Sequence, residues 1–204
     1  MEFEAKIIEF LQAGASDFWN FFWKSISSIG TYFGVVALLA VAFFVCRKRF
    51  LLLGGTLAGG LAINLILKHI IVRLRPYAAY ESIAQLGSGS GYSFPSSHSV
   101  CVAILAVFLC YFVFFKNAKK WTKALTIIFS CLAIFMVMLS RMYLGLHFLT
   151  DVLAGGVLGV VIAVTMIVLY EKVLDKWISK WKIIQWFENL GKKKNVETEK
   201  EEEK

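Results

Sequence analysis

Five stretches of this chain run without a charged side chain, at 25–46, 50–67, 99–115, 124–140 and 152–170. Each approaches the roughly 20 residues that carry an α-helix through bilayer hydrocarbon. Their flanks place predicted spans at about 28–46, 50–72, 97–115, 122–141 and 147–170. The N-terminal segment reads differently. Over residues 3–23, Phe3, Ile7, Phe10 and Leu11 share one helical face while Glu2, Glu4, Lys6 and Glu9 lie elsewhere, and Phe18, Trp19, Phe21, Phe22 and Trp23 follow. That pattern suits an amphipathic helix lying in the membrane interface, with a short sixth span as the alternative. After the last span, "EKVLDKWISKWKIIQWF" continues as an amphipathic stretch, and residues 191–204 are charged enough to be a disordered tail. The predicted fold is all-α: one polytopic membrane helix bundle over residues 1–190, with no repeat of fixed period.

Composition agrees, with 58% hydrophobic and 15% aromatic residues and a mean hydropathy of +0.68, outside the range of a soluble domain. The acidic start "MEFEAKIIEF" lacks the basic region of a cleavable signal peptide. The net charge of +8 does not imply nucleic acid. Its basic clusters, Arg47-Lys48-Arg49, 116–123 and the lysines from Lys172 to Lys194, fall on one side of an alternating bundle, the cytoplasmic side by the positive-inside rule. Cys46, Cys101, Cys110 and Cys131 have no metal-ligand spacing and are expected to remain thiols.

The unusual polar residues gather at the opposite side. Lys68 and Arg75 stand seven residues apart at the end of the second span, on one helical face, and Pro76 is expected to stop that helix. "FPSSHS" precedes the third span, so Ser96, Ser97 and His98 bring hydroxyls, an imidazole and helix N-terminal amides, which favour an anion. Arg141 ends the fourth span. His147 and Asp151 are spaced i, i+4 at the start of the fifth, where the carboxylate can accept the imidazole N–H. Each piece alone has a plainer explanation: snorkelling for Lys68 and Arg75, helix capping for the serines, a surface pair for His147 and Asp151. Together they make a phosphate pocket with an acid and a nucleophile. Asn64 is expected to bond across the bundle and His69 to be interfacial. Tyr77 and Glu81 lie in a loop beside the pocket.

Lys68-x6-Arg75-Pro76, Pro95-Ser96-Ser97-His98 and Ser140-Arg141-x5-His147-x3-Asp151 resemble the three-part signature of the type-2 phosphatidic acid phosphatase family. The resemblance implies that His147 is the nucleophile forming a phosphohistidine, that Asp151 orients it, and that His98 protonates the leaving oxygen. It also implies that Lys68, Arg75, Arg141 and amides around Ser96 and Ser97 hold the phosphate, and that no metal or other cofactor takes part. The second motif usually reads Pro-Ser-Gly-His; Ser97 in place of that glycine implies an altered pocket shape rather than lost chemistry. The implied partner is a lipid phosphate in the cell membrane, met at the extracytoplasmic face: phosphatidylglycerophosphate first, undecaprenyl pyrophosphate or phosphatidic acid as alternatives. A lipid or ion transporter is the reading from another class, disfavoured because the charges collect at one face rather than near the midplane.

Overall fold

A computed structural model describes residues 2–28, 33–45, 47–115 and 118–174, with side chains described outside 41–49 and 174. Two short helices come first, α1 (Glu2–Gln12) and α2 (Asp17–Ser28). They are followed by α3 (Gly34–Val45), α4 (Arg47–Ile71), the single turn α5 (Pro76–Ala79), α6 (Ser97–Phe115), α7 (Lys120–Tyr143) and α8 (Leu149–Leu169), which runs into a π-helical turn, Tyr170–Leu174. No strand occurs among the described residues. Among the described residues four helices, built on α4, α6, α7 and α8, are long and apolar enough to cross a bilayer. The remaining expected span, 28–46, is represented by α3, with 29–32 and 46 outside the described residues. The expected amphipathic continuation past Leu174 and the 191–204 tail also lie outside them.

The α6 helix is the central post. It packs against α3, α4, α7 and α8, and Val100, Ile104, Leu105 and Phe108 meet Leu52, Leu53 and Leu57 of α4 and Ala163 of α8 in the main apolar core. Contact with α8 is close because Gly155 and Gly159, one turn apart, present no side chain there. A Cβ on Gly155 would stand 2.6 Å from the Ser96 carbonyl oxygen, and one on Gly159 2.5 Å from that of Val100. The α7 helix lies at the margin, exposing Leu125, Ile128, Phe129, Leu132 and Phe135 as a lipid-facing helix should.

Three details depart from the sequence pattern. The N-terminal segment is two helices rather than one, because Gly14 and Ser16 interrupt it: Ser16 caps α2, its hydroxyl accepting the Trp19 amide at 3.4 Å. At 11 and 12 residues neither helix can span. Both pack on the end of α7, where Asn20 accepts the Tyr143 hydroxyl and Gln12 donates to the Tyr143 carbonyl. The segment is thus a two-helix strap across the end of α7. The second departure is that Pro76 does not end α4. The helix stops at Ile71 with Val72 in the left-handed region (φ +51°), its amide bonded to the Lys68 carbonyl, and Pro76 instead opens α5. The third is that α8 begins at Leu149, so His147 precedes the helix.

Candidate active site

The ends of α4 and α7, the starts of α6 and α8, and the irregular segment 80–96 meet at one end of the bundle around a cavity of about 680 Å³. Lys68, Arg75, Ser97, His98, Arg141 and His147 line it, with Gln85, Ser88, Gly89 and Ser90 on the segment that walls it. Seven of the eight candidate residues named above are therefore here or one side chain away. Ser96 is the exception in position. Its amide donates to the Asp151 carbonyl (3.0 Å) and its hydroxyl caps the Ser99 amide (3.4 Å). That amide is committed to joining α6 to α8, which leaves Ser97 and His98 as the first-turn residues at the cavity.

Two connections shape the wall. Gly145 adopts φ +71°, and a Cβ there would run into the Ala84 carbonyl, so only glycine lets the 144–148 turn lie against segment 80–96. The Leu86 amide then bonds the Leu144 carbonyl and the Tyr77 amide that of Gly145. On the other side Lys68 Nζ donates to the Tyr92 (2.7 Å) and Ser93 (3.2 Å) carbonyls. Arg75 spends most of its fork on backbone: Nε to Gly91 (3.0 Å), Nη2 to Ser90 (2.7 Å) and Nη1 to Leu146 (3.1 Å).

Arg75 Nη1 also stands 3.4 Å from His147 Nε2. A guanidinium can only donate, so Nε2 is the unprotonated nitrogen and Nδ1 carries the proton. That is the tautomer a nucleophilic Nε2 requires, on a ring that lines the cavity. Nδ1 faces Asp151 Oδ2 at 3.8 Å, an electrostatic contact beyond hydrogen-bond range, with the Ser93 hydroxyl 3.5 Å from Nδ1 and donating to the same Oδ2. The expected direct His147–Asp151 bond is thus longer than the helical spacing suggested, because His147 sits outside α8. Asp151 Oδ2 instead also accepts the Phe148 amide (2.8 Å), capping the helix. Burial pushes the His147 imidazole down to about 3; the Asp151 carboxylate opposes that shift, and the Arg141 and Arg75 guanidiniums add to it. The ring is neutral at physiological pH.

Ser97, the departure from the family motif, has a visible role: its hydroxyl donates to Asn64 Oδ1 (2.7 Å), and Asn64 Nδ2 donates to the Pro95 carbonyl (3.2 Å). Asn64 thereby ties α4 to the start of α6, bonding across the bundle as expected. His69 bonds the Leu65 carbonyl of its own helix and is exposed, and Tyr77 donates to the Gly89 carbonyl. Buried Arg141 donates to the Ser27 hydroxyl of α2 at 2.8 Å.

Sequence reasoning passed over three contributors. Ser93 bridges Asp151 and His147. Arg73 Nη1 lies 2.5 Å from Asp151 Oδ1 and 2.6 Å from Thr150 Oγ1, while its Nη2 reaches Glu4 of α1 at 2.9 Å. Glu4 in turn accepts the Thr150 amide and hydroxyl, both at 2.8 Å. Burial raises the Glu4 carboxyl, yet the bonds from Thr150 and Arg73 outweigh it and hold the group below its usual range. The one signal in the sequence was a second arginine two residues before Arg75. Among the described residues, no group of three or more His, Cys, Asp or Glu is placed to hold a metal ion.

Comparison with known proteins gives four matches. Residues 49–175 match the PAP2 superfamily. A phosphatidylglycerophosphatase B of Bacillus subtilis is 38% identical over 102 residues, 49% of this chain and 47% of that protein, so the match spans about half its length. A mouse dolichyldiphosphatase 1 is 28% identical over 78% of this chain and 70% of its own. Among solved structures, the transmembrane PAP2-type phosphatidylglycerolphosphate phosphatase from Bacillus subtilis superposes with a TM-score of 0.71 at 27% identity, covering 84% of this chain and 86% of that one.

Proposed function

The chain belongs to the PAP2 superfamily, and from that premise we propose that it hydrolyses the terminal phosphate of a membrane lipid through a phosphohistidine on His147. The observation that carries the reading is the single cavity that gathers Lys68, Arg75, Arg141, His98 and His147 at the end of a membrane bundle. His147 Nε2 attacks phosphorus and the bond to the lipid oxygen breaks. His98, in its protonated form, gives that oxygen its proton. Lys68 and Arg141 neutralise the phosphoryl oxygens, and Arg75 does so with the N–H capacity its carbonyl contacts leave. A water then attacks the phosphohistidine, giving a proton back to His98, and P–N cleavage releases phosphate. Asp151 keeps the imidazole in the Nδ1–H tautomer and stabilises the cationic ring.

The substrate we propose is phosphatidylglycerophosphate, a monoester, and the support is the Bacillus relative and the structural neighbour named for that lipid. A polyprenyl diphosphate is the second reading, favoured by the longer alignment with a dolichyldiphosphatase. Phosphate release by the purified chain in EDTA-treated detergent, from phosphatidylglycerophosphate and from undecaprenyl pyrophosphate in parallel, tests both. Release should be faster from the monoester and absent from His147→Ala with either lipid. Turnover by His147→Ala near the parent rate would overturn the assignment.

A further inference from the structure

The scheme above uses Asp151 but gives no part to the arginine bonded to it. Both oxygens of this fully buried carboxylate are engaged, yet unequally. Oδ2 takes the Phe148 amide and the Ser93 hydroxyl, and faces His147 Nδ1. Among the described residues Oδ1 is bonded only by Arg73. That charge-assisted bond fixes the rotation of the carboxyl group, and so decides which oxygen the imidazole sees. The Arg73 backbone acts in the same direction, because its carbonyl accepts the Ser93 amide at 2.8 Å and so places the hydroxyl that shares Oδ2.

Arg73 is itself held on three sides. Its guanidinium carbon lies 4.3 Å over the Phe148 ring, Thr150 accepts one nitrogen, and Glu4 accepts the other. Glu4 stands on α1, which is anchored by Ala5 and Ile8 against Ile83, Met142, Phe148 and Val152. Arg73 does not line the cavity, and this separates it from the phosphate ligands. Nor does it belong to the three-part motif, whose intervening positions between Lys68 and Arg75 are open.

We propose that Arg73 and Glu4 are positioning residues for the phosphohistidine reaction: Glu4 fixes Arg73, Arg73 fixes Asp151, and Asp151 with Ser93 fixes the His147 imidazole. The N-terminal strap is then part of the active site rather than a membrane anchor alone. This relay rests on the roles given above to His147 and Asp151.

The test is steady-state kinetics of the full chain in micelles containing phosphatidylglycerophosphate. Arg73→Met should lower kcat about ten- to a hundredfold, the range for residues that orient a catalytic ligand, with KM within about twofold. Arg73→Lys should recover part of the loss. Glu4→Gln should lower kcat by less than Arg73→Met, and the double variant should be no slower than Arg73→Met, since both act on one carboxylate. If Arg73→Met fails to fold, the graded kcat of Arg73→Lys and Glu4→Gln decides instead. Parent kcat in Arg73→Met, an effect confined to KM, or independent multiplication of the two losses would overturn the relay. Turnover by His147→Ala sinks the underlying mechanism whatever Arg73 does; an inactive His147→Ala beside a normal Arg73→Met sinks the relay alone.

Discussion

The seam between α6 and α8 gives the sharpest prediction, Gly155→Ala. The added methyl carbon would lie 2.6 Å from the Ser96 carbonyl oxygen and 3.0 Å from Ser99 Cβ. The nearest obstacle is backbone inside a buried helix turn, so it cannot swing aside. Restoring a contact of about 3.4 Å requires the helices to part by roughly 0.8 Å, given the separations at which carbon contacts become favourable. The bond from the Ser96 amide to the Asp151 carbonyl, now 3.0 Å, then opens beyond hydrogen-bond range. Overpacking of this kind costs about 1–3 kcal/mol and a lost buried hydrogen bond about 1, while alanine regains about 1 in helix propensity. The expected net loss is about 1–3 kcal/mol, a fall of several degrees in Tm for a chain of this size. Activity should fall further than stability, by roughly a hundredfold in kcat, because the same displacement separates His98 on α6 from the His147–Asp151 pair, and catalysis tolerates about 1 Å badly. Gly59→Ala is the control, an exposed α4 position where an added Cβ meets nothing within 4 Å. Thermal unfolding and phosphate release measured on both variants in one detergent decide the matter. A Gly155→Ala protein with the Tm and turnover of Gly59→Ala would refute the reasoning.

Two other outcomes are expected. The folded state holds His147 near 3 against an ordinary 6.5, so between those values the unfolded chain binds the extra proton. The stabilisation is complete above the unfolded value and drains away as pH falls through the window. The Tm of the parent chain should therefore drop more steeply than that of His147→Asn between about pH 7 and about pH 5, and parallel curves would count against it. For sidedness, Glu81→Cys in a background without the native cysteines should react with a membrane-impermeant maleimide in intact cells, and Lys120→Cys only after lysis. The reverse pattern would put the cavity in the cytoplasm.

Much of this was legible because charge is conspicuous in an apolar chain. Lys68, Arg141 and Asp151 bound long uncharged runs, Arg75 and His147 stand a few residues away, and the alternation of spans places them at one end. The bounds of α6 were legible to the residue, since Pro95 and the serine pair mark its start. Harder to see were features decided by tertiary geometry. Glu4 meets Thr150 across 146 positions, and no local pattern distinguishes it from Glu2 or Glu9. Nothing local marks Arg73 either, because its partners Thr150 and Asp151 arrive from α8. The start of α8 was misplaced by two residues because His147 and Asp151 fit a helical repeat, whereas Asp151 caps the helix through the Phe148 amide and holds His147 outside it. Gly155 and Gly159 are spaced for a helix seam, yet such spacing acquires meaning only when the facing helix is known.

Segment 80–96 has neither helix nor strand, and its backbone is pinned by the cavity's own cations: Lys68 on Tyr92 and Ser93, Arg75 on Ser90 and Gly91. Closing an irregular loop of this length carries an entropic cost of a few kcal/mol, and here it is met before any anion arrives. A ligand therefore finds the wall already ordered and does not have to fold a lid onto itself, which spares its affinity the usual tax of immobilising a mobile loop. Replacing Arg75 with lysine would keep the charge and forfeit the pre-organisation, since a single ammonium cannot reach three carbonyls set out along a planar fork.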